Sequence, residues 1–235
     1  MITKYTALAL CSAIAITAHA LPIDFNFYKL GKGASYDFLP TDPVAATGGD
    51  LASSNVVGHI FNDDLHYTIG SLTATVTGTY YGNVAAVVQD YESNWTLTRS
   101  AGLGVYHYKT GSLDTSDDNV TAGEKLTVSF NRSVNLSSVG LRADGHNITG
   151  WDTGDKFLLN GVQTLLPDNI GSITGLNLTG TQFTFEYFSS SPTKFTSQFY
   201  LASLSVTAIP DNGATLALMG TAFLGLAALR RRFAT

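Results

Sequence analysis

The chain has 235 residues, of which 44% are hydrophobic and 13% charged, with a formal net charge of −5. All 18 acidic residues lie between Leu21 and Leu229, with only 9 of the 13 basic ones, so that stretch carries a formal charge of −9. Such a surface argues against nucleic acid and anionic lipid as partners. The single cysteine, Cys11, lies in the apolar N-terminal run and leaves the rest of the chain without disulfide or thiol chemistry.

In chain order, the first element is a secretory signal peptide, residues 1–20. Lys4 supplies the positive region, Ala7 to Ala18 the apolar run, and Ala18-His19-Ala20 a small-x-small cleavage site. The mature chain is expected to begin near Leu21. Gly31 to Ser54 reads as irregular. Beyond it, short alternating runs separated by turn residues give the strand signal. They are Leu72–Thr77, Asn83–Gln89, Trp95–Arg99, Leu103–Lys109, Leu126–Phe130, Val139–Ala143, Phe183–Tyr187 and Phe199–Ala208. Asn160-Gly161 sits between two apolar runs, Phe157–Leu159 and Val162–Leu165, as a two-residue type I′ hairpin turn requires. About ten short strands without an internal helix predict an all-β ectodomain over 21–208, an antiparallel β-sandwich or jelly roll, with a barrel as the alternative. Residues 209–213 form a linker. The apolar run Ala214–Leu229 follows, expected as a short transmembrane helix, and then the basic tail 230–235 with Arg230, Arg231 and Arg232.

Ile209-Pro210-Asp211-Asn212-Gly213, the apolar run and the three arginines together resemble a PEP-CTERM sorting signal, closest to its Val-Pro-Asp-Ser-Gly variant. The chain departs from Pro-Glu-Pro in carrying Asp211 and Asn212. The resemblance implies recognition around Pro210, Asp211 and Gly213 by exosortase, a membrane cysteine protease, after signal peptidase has acted at the other end. It also implies a Gram-negative bacterium that makes exopolysaccharide, an inner-membrane anchor that is temporary, and a final place at the cell surface or in the extracellular matrix. Gly102-Leu103-Gly104-Val105, an acidic stretch, Glu124–Phe130 and Val134-Asn135-Leu136 look like a segment common in sandwich domains of PEP-CTERM proteins. That similarity implies a fold more than an activity.

The densest polar cluster runs from Asp114 to Asn119, with Glu124 following. Hard cations take six to eight oxygen ligands, so Asp114, Asp117, Asp118 and Glu124 are candidates for a structural Ca²⁺ site; a solvated acidic loop is the other reading. Trp95 and Trp151, with several tyrosines, offer either a sugar-stacking face or core filling. His59, His66, His107 and His146 lack the His-Glu-x-x-His spacing, no Gly-x-Ser-x-Gly elbow occurs, and Gly31-Lys32-Gly33 is not a dinucleotide loop. The expectation is a non-enzymatic secreted protein with a structural or adhesive role, partnered with extracellular polysaccharide. A carbohydrate-binding module is the alternative, and an extracellular hydrolase a more distant one.

Overall fold

The structure is a computed structural model that describes residues 20–30, 38–41, 45–47, 50–52, 64–91, 101–106, 108–109, 112–113, 118–189, 197–210, 220–226 and 229–230. The signal segment 1–19 and the expected strand Trp95–Arg99 lie outside these residues.

The described elements are strands throughout the body of the chain. β1 (Ile23–Phe25), β2 (Ala45–Thr47), β3 (Asp50–Ala52) and β4 (Asp64–Ile69) come first. β5 (Leu72–Tyr80), β6 (Asn83–Gln89), β7 (Leu103–Tyr106), β8 (Tyr108–Lys109) and β9 (Ser112–Leu113) follow. β10 (Glu124–Ala143), β11 (Lys156–Leu159), β12 (Val162–Leu165), β13 (Ser172–Phe188) and β14 (Phe199–Ala208) complete the set. Alternation sets each strand's faces. In β5, Leu72, Ala74 and Val76 are buried while the threonines between them are only partly so. Burying side chains of this size contributes roughly 1.5–3 kcal/mol each for the larger ones.

The expected two-sheet sandwich is not what forms. β14, β7, β6, β5 and β10 pair antiparallel in that order, and β10 then pairs back onto β14. The five strands therefore close a barrel, and further strands extend from it. β13 runs along β10 and carries the β11–β12 hairpin, β4 pairs with β5, β3 with β6, and β1 with β14. β8 and β9 pair separately.

One strand explains the correction. β10 has 20 residues, where the sequence suggested two short strands, Leu126–Phe130 and Val139–Ala143. Its first half pairs with β5 and its second half with β14. Register shifts fall between Ser129 and Val134 and between Leu136 and Ser138. The second moves the inward set from even numbers (Leu126, Val128, Phe130, Val134, Leu136) to odd ones (Val139, Leu141, Ala143). Bulges bend a strand and increase its twist, and this bend lets one strand serve two sides of a closed ring.

The hairpin turn forms as expected, with φ of 51° at Asn160 and 76° at Gly161. The hydrophobic core, shared by the ring and the strands that extend from it, is aromatic and aliphatic. Phe25, Phe27, Tyr67, Phe157, Phe183, Phe185 and Phe199 are fully or almost fully buried. One polar group is built into this packing. Gln89 is 0% exposed, accepts a hydrogen bond from the Tyr67 hydroxyl at 2.9 Å, and donates to the carbonyls of Phe27 and Phe38 at 2.8 Å each. It ties the chain after β1 to the barrel wall.

The expected spanning helix over 214–229 is also corrected. The described helical residues there are 220–226 and 229–230, the longer run rising only about 10 Å, with Phe223, Leu224 and Leu226 exposed. Among the described residues no helix is long and apolar enough to cross a membrane.

Candidate functional site

Titratable groups converge at one end of the barrel, where β6 and β10 finish and β7 and β14 begin. Asp90 follows β6, and its backbone N–H donates to the Gly102 carbonyl at 2.8 Å. Asp118 and Asn119 are drawn in beside β7, where the Val105 N–H donates to the Asn119 carbonyl at 3.1 Å. Gly104 makes that approach possible, because a Cβ there would collide with the Asp118 carbonyl. Val120 then bridges to Phe199 at the start of β14. The turn after β10 is closed by the His146 N–H donating to the Ala143 carbonyl at 2.8 Å, with His146 at φ 61°. Few residues other than glycine adopt that conformation, and histidine is among the more tolerant.

These backbone placements assemble one side-chain network. The Tyr200 hydroxyl donates to Asp118 Oδ1 at 2.5 Å and lies 3.3 Å from His146 Nε2. His146 Nδ1 lies 3.5 Å from Asp90 Oδ2. Asn119 Nδ2 donates to Asp144 Oδ1 at 2.9 Å. The His146 ring stands edge-on to Tyr200, with centroids 5.2 Å apart. Burial pushes the Tyr200 phenol far above its usual range; the charge of Asp118, the hydrogen bond to it, and the charges of Asp90 and Asp144 push the same way. Tyr200 is almost fully buried, as is Asp90. The phenol is thus a fixed neutral donor, unsuited to act as a nucleophile.

The residues singled out in the sequence fall differently. Asp114 and Asp117 lie outside the described residues, as do Trp95, Asp211, Gly213, Arg231 and Arg232. Asp118 is in the network just described. Glu124 is buried, and its Oε2 accepts the Thr121 N–H at 2.8 Å, closing the turn that leads into β10. The structure thus brings Asp118 together with Asp90 and Asp144 and gives Glu124 a separate task. Among the described residues no group of three or more His, Cys, Asp or Glu side chains is arranged to hold a metal ion. Trp151 is 5% exposed, packs in the core, and donates its indole N–H to the Gln198 carbonyl at 2.8 Å. Arg230 is exposed. The network partners Asp90, Asp144, His146 and Tyr200 are spread over more than a hundred residues, with no local spacing to join them; Asp144-Gly145-His146-Asn147 carries only a turn signal.

At the opposite end of β14 the barrel stops at a definite point. The Ile209 N–H donates to the Ser133 carbonyl at 3.0 Å, and the next residue, Pro210, is exposed. Residues 208–233 match the VPDSG-CTERM motif. That match supports a secreted surface protein processed by an exosortase-type system, in line with the resemblance read from the sequence. It begins at the last residue of β14, Ala208. No curated protein and no solved structure matches the chain.

Proposed function

We propose that the barrel is the working part of a surface or exopolysaccharide-matrix protein, with a structural or adhesive rather than catalytic role. The observation that carries this reading is an uncharged outer face across β13, β10 and β14. Residues 133–141, 172–185 and 199–209 contain no Asp, Glu, Lys or Arg. Their inward side chains are Leu136, Val139, Leu204 and Val206. Outward they present Thr174, Asn177, Thr179 and Thr181, all exposed, beside half-buried Asn135, Ser137, Ser205 and Thr207. The register sets Thr179, Asn135 and Thr207 in one row across three strands. Asn135 Nδ2 donates to Asn177 Oδ1 and, at 3.4 Å, to Thr179 Oγ1.

Hydroxyls and amides fixed at strand spacing offer hydrogen bonds to a polyhydroxyl polymer, with the exposed Asp24 of β1 beside Ser205 at the edge of the patch. In a stretch with formal charge −9, such a patch suits extracellular polysaccharide better than a charged partner. The test is co-sedimentation of the exported protein with exopolysaccharide from the producing strain, together with its intact mass. The expected result is a product shortened within 208–233 that sediments with the polymer and loses retention on Thr179→Glu with Thr207→Glu. Equal retention of the double variant would remove this face from the proposal.

A further inference from the structure

Two hairpins of the chain turn in the same way with different residues. Asn160-Gly161 joins β11 to β12 with φ of 51° and 76°, and Tyr81-Gly82 joins β5 to β6 with φ of 45° and 80°. Positive φ at both central residues is the mark of a type I′ turn. Asparagine, aspartate and histidine tolerate that conformation, whereas a bulky ring adopts it only at a cost in backbone strain. The other described non-glycine residues with positive φ are Asn160, Asn169 and His146, all of tolerant types. Among the described residues Tyr81 alone departs from that preference.

The strained residue does not bury its ring. Tyr81 is 70% exposed, whereas Tyr67, Tyr200 and Trp151 are buried. The ring is nevertheless held. Its Cδ2, Cε2 and Cζ atoms lie so close to Gly123 that a Cβ there would come within 2.6–2.9 Å of them. The Tyr80 ring is set edge to face with it, centroids 4.6 Å apart, and the Tyr81 N–H donates to the Gly123 carbonyl at 2.7 Å. An exposed ring already fixed along one side loses little freedom when a ligand stacks on it. Residues 70–89 contain no Asp, Glu, Lys or Arg. Asn83 and Val84, next to the turn, are exposed as well. Across the ladder, Glu124 is opposite Tyr80 but buried, and Lys125 is opposite Thr79. The hairpin tip thus offers an aromatic surface with an amide close by in the chain and no ionic group of its own.

We propose that Tyr81 is a stacking platform for a sugar ring of the polysaccharide. The inference rests on the polysaccharide reading above and adds to it a second contact, at the tip of the β5–β6 hairpin. The C–H hydrogens on one face of a pyranose carry a slight positive charge and meet the negative face of the aromatic ring. The hydroxyls around the sugar's rim stay with water or reach the Asn83 amide. A sugar suits this tip better than an ionic peptide, for which the hairpin supplies no opposite charge. An Asn-Gly turn would be easier to form and would carry no ring. The tyrosine keeps the strain and sets a rigid aromatic on the surface.

The test measures two quantities on the exported protein: its affinity for exopolysaccharide from the producing strain, by sedimentation over a concentration series, and its Tm. Tyr81→Asn is expected to bind about tenfold more weakly, the loss of one aromatic contact. Its Tm should stay level or rise, because the turn is relieved. Tyr81→Phe should bind as the wild type does, since stacking needs the ring and not the hydroxyl. Val162→Ala, which trims a similarly exposed apolar side chain on β12, should change nothing. Unchanged affinity in Tyr81→Asn would overturn the platform and leave the polysaccharide reading standing, whereas a wild type that the polymer does not retain would remove both. An equal loss in Val162→Ala would also overturn it, by making the adhesion general. So would a lower Tm in Tyr81→Asn, which would make the ring a structural cover for Gly123. Self-association of the wild type that Tyr81→Asn abolishes would assign the ring to a second copy instead, and the proposal would fall.

Discussion

Replacing Gln89 by leucine tests how the chain after β1 is held. The side chain is fully buried and satisfies three groups: the Tyr67 hydroxyl and the carbonyls of Phe27 and Phe38. Leucine has similar bulk but no polar atom, so all three partners are orphaned at once. Each buried orphan costs about 1–3 kcal/mol, and with partial relaxation the total is roughly 3–5 kcal/mol. For a domain of this size that lowers Tm by about 6–20 °C. Tyr67→Phe orphans only the Gln89 Oε1 and should cost about 1–3 kcal/mol in the wild type. In the Gln89→Leu background its sign should reverse, because removing the hydroxyl then removes an orphan. Urea unfolding of the four proteins, followed by circular dichroism, gives the cycle. If Tyr67→Phe is equally destabilising in both backgrounds, the hydrogen-bond account of Gln89 is wrong.

Burial pushes the phenols of Tyr67 and Tyr200 well above the usual 10.0. Above that pH the unfolded chain releases these protons and the folded one keeps them, so stability falls by about 1.4 kcal/mol per pH unit for each tyrosine. Ultraviolet titration should show both phenols ionising only together with unfolding; smooth titration of all 11 tyrosines with the circular dichroism intact would contradict this. Gly104→Ala places a methyl group against the backbone of Asp118 and Asn119, and backbone cannot give way as a flexible side chain does. We expect a loss of at least about 2 kcal/mol in urea unfolding, with hydrogen exchange increased first at Val120 and Phe199. An unchanged midpoint would mean the wedge beside β7 is softer than its geometry implies.

Strand existence was legible because period-2 alternation is strong in Leu72–Thr77, Leu126–Phe130 and Phe183–Tyr187, and all three lie inside observed strands. The Asn160-Gly161 turn was legible for a local reason, the positive φ that both residues tolerate. Closure was not. It depends on β10 continuing through Asn131-Arg132-Ser133, which lie between the two short strands expected from the sequence and form a bulge within one strand. The early half of β13, Ser172 to Gln182, escaped notice because it is rich in Thr, Gly and Asn, and its place in the sheet comes from pairing with β10. The sorting motif was legible because its parts are contiguous. The network around Tyr200 was not, since Asp90, Asp118, His146 and Tyr200 become neighbours only after the ring has closed.

The course of β14 also has a mechanical meaning. The strand enters beside the Asp118 network and leaves through Ile209, whose N–H is fastened to Ser133, directly into the matched tail. Along its whole length it is paired antiparallel with β10, and on its other side with β1 and β7. A pull on the tail therefore acts along the strand and strains its backbone hydrogen bonds together, instead of peeling them off one at a time. A protein gripped by its C-terminal end would transmit load into the centre of its sheet, through the element best able to share it.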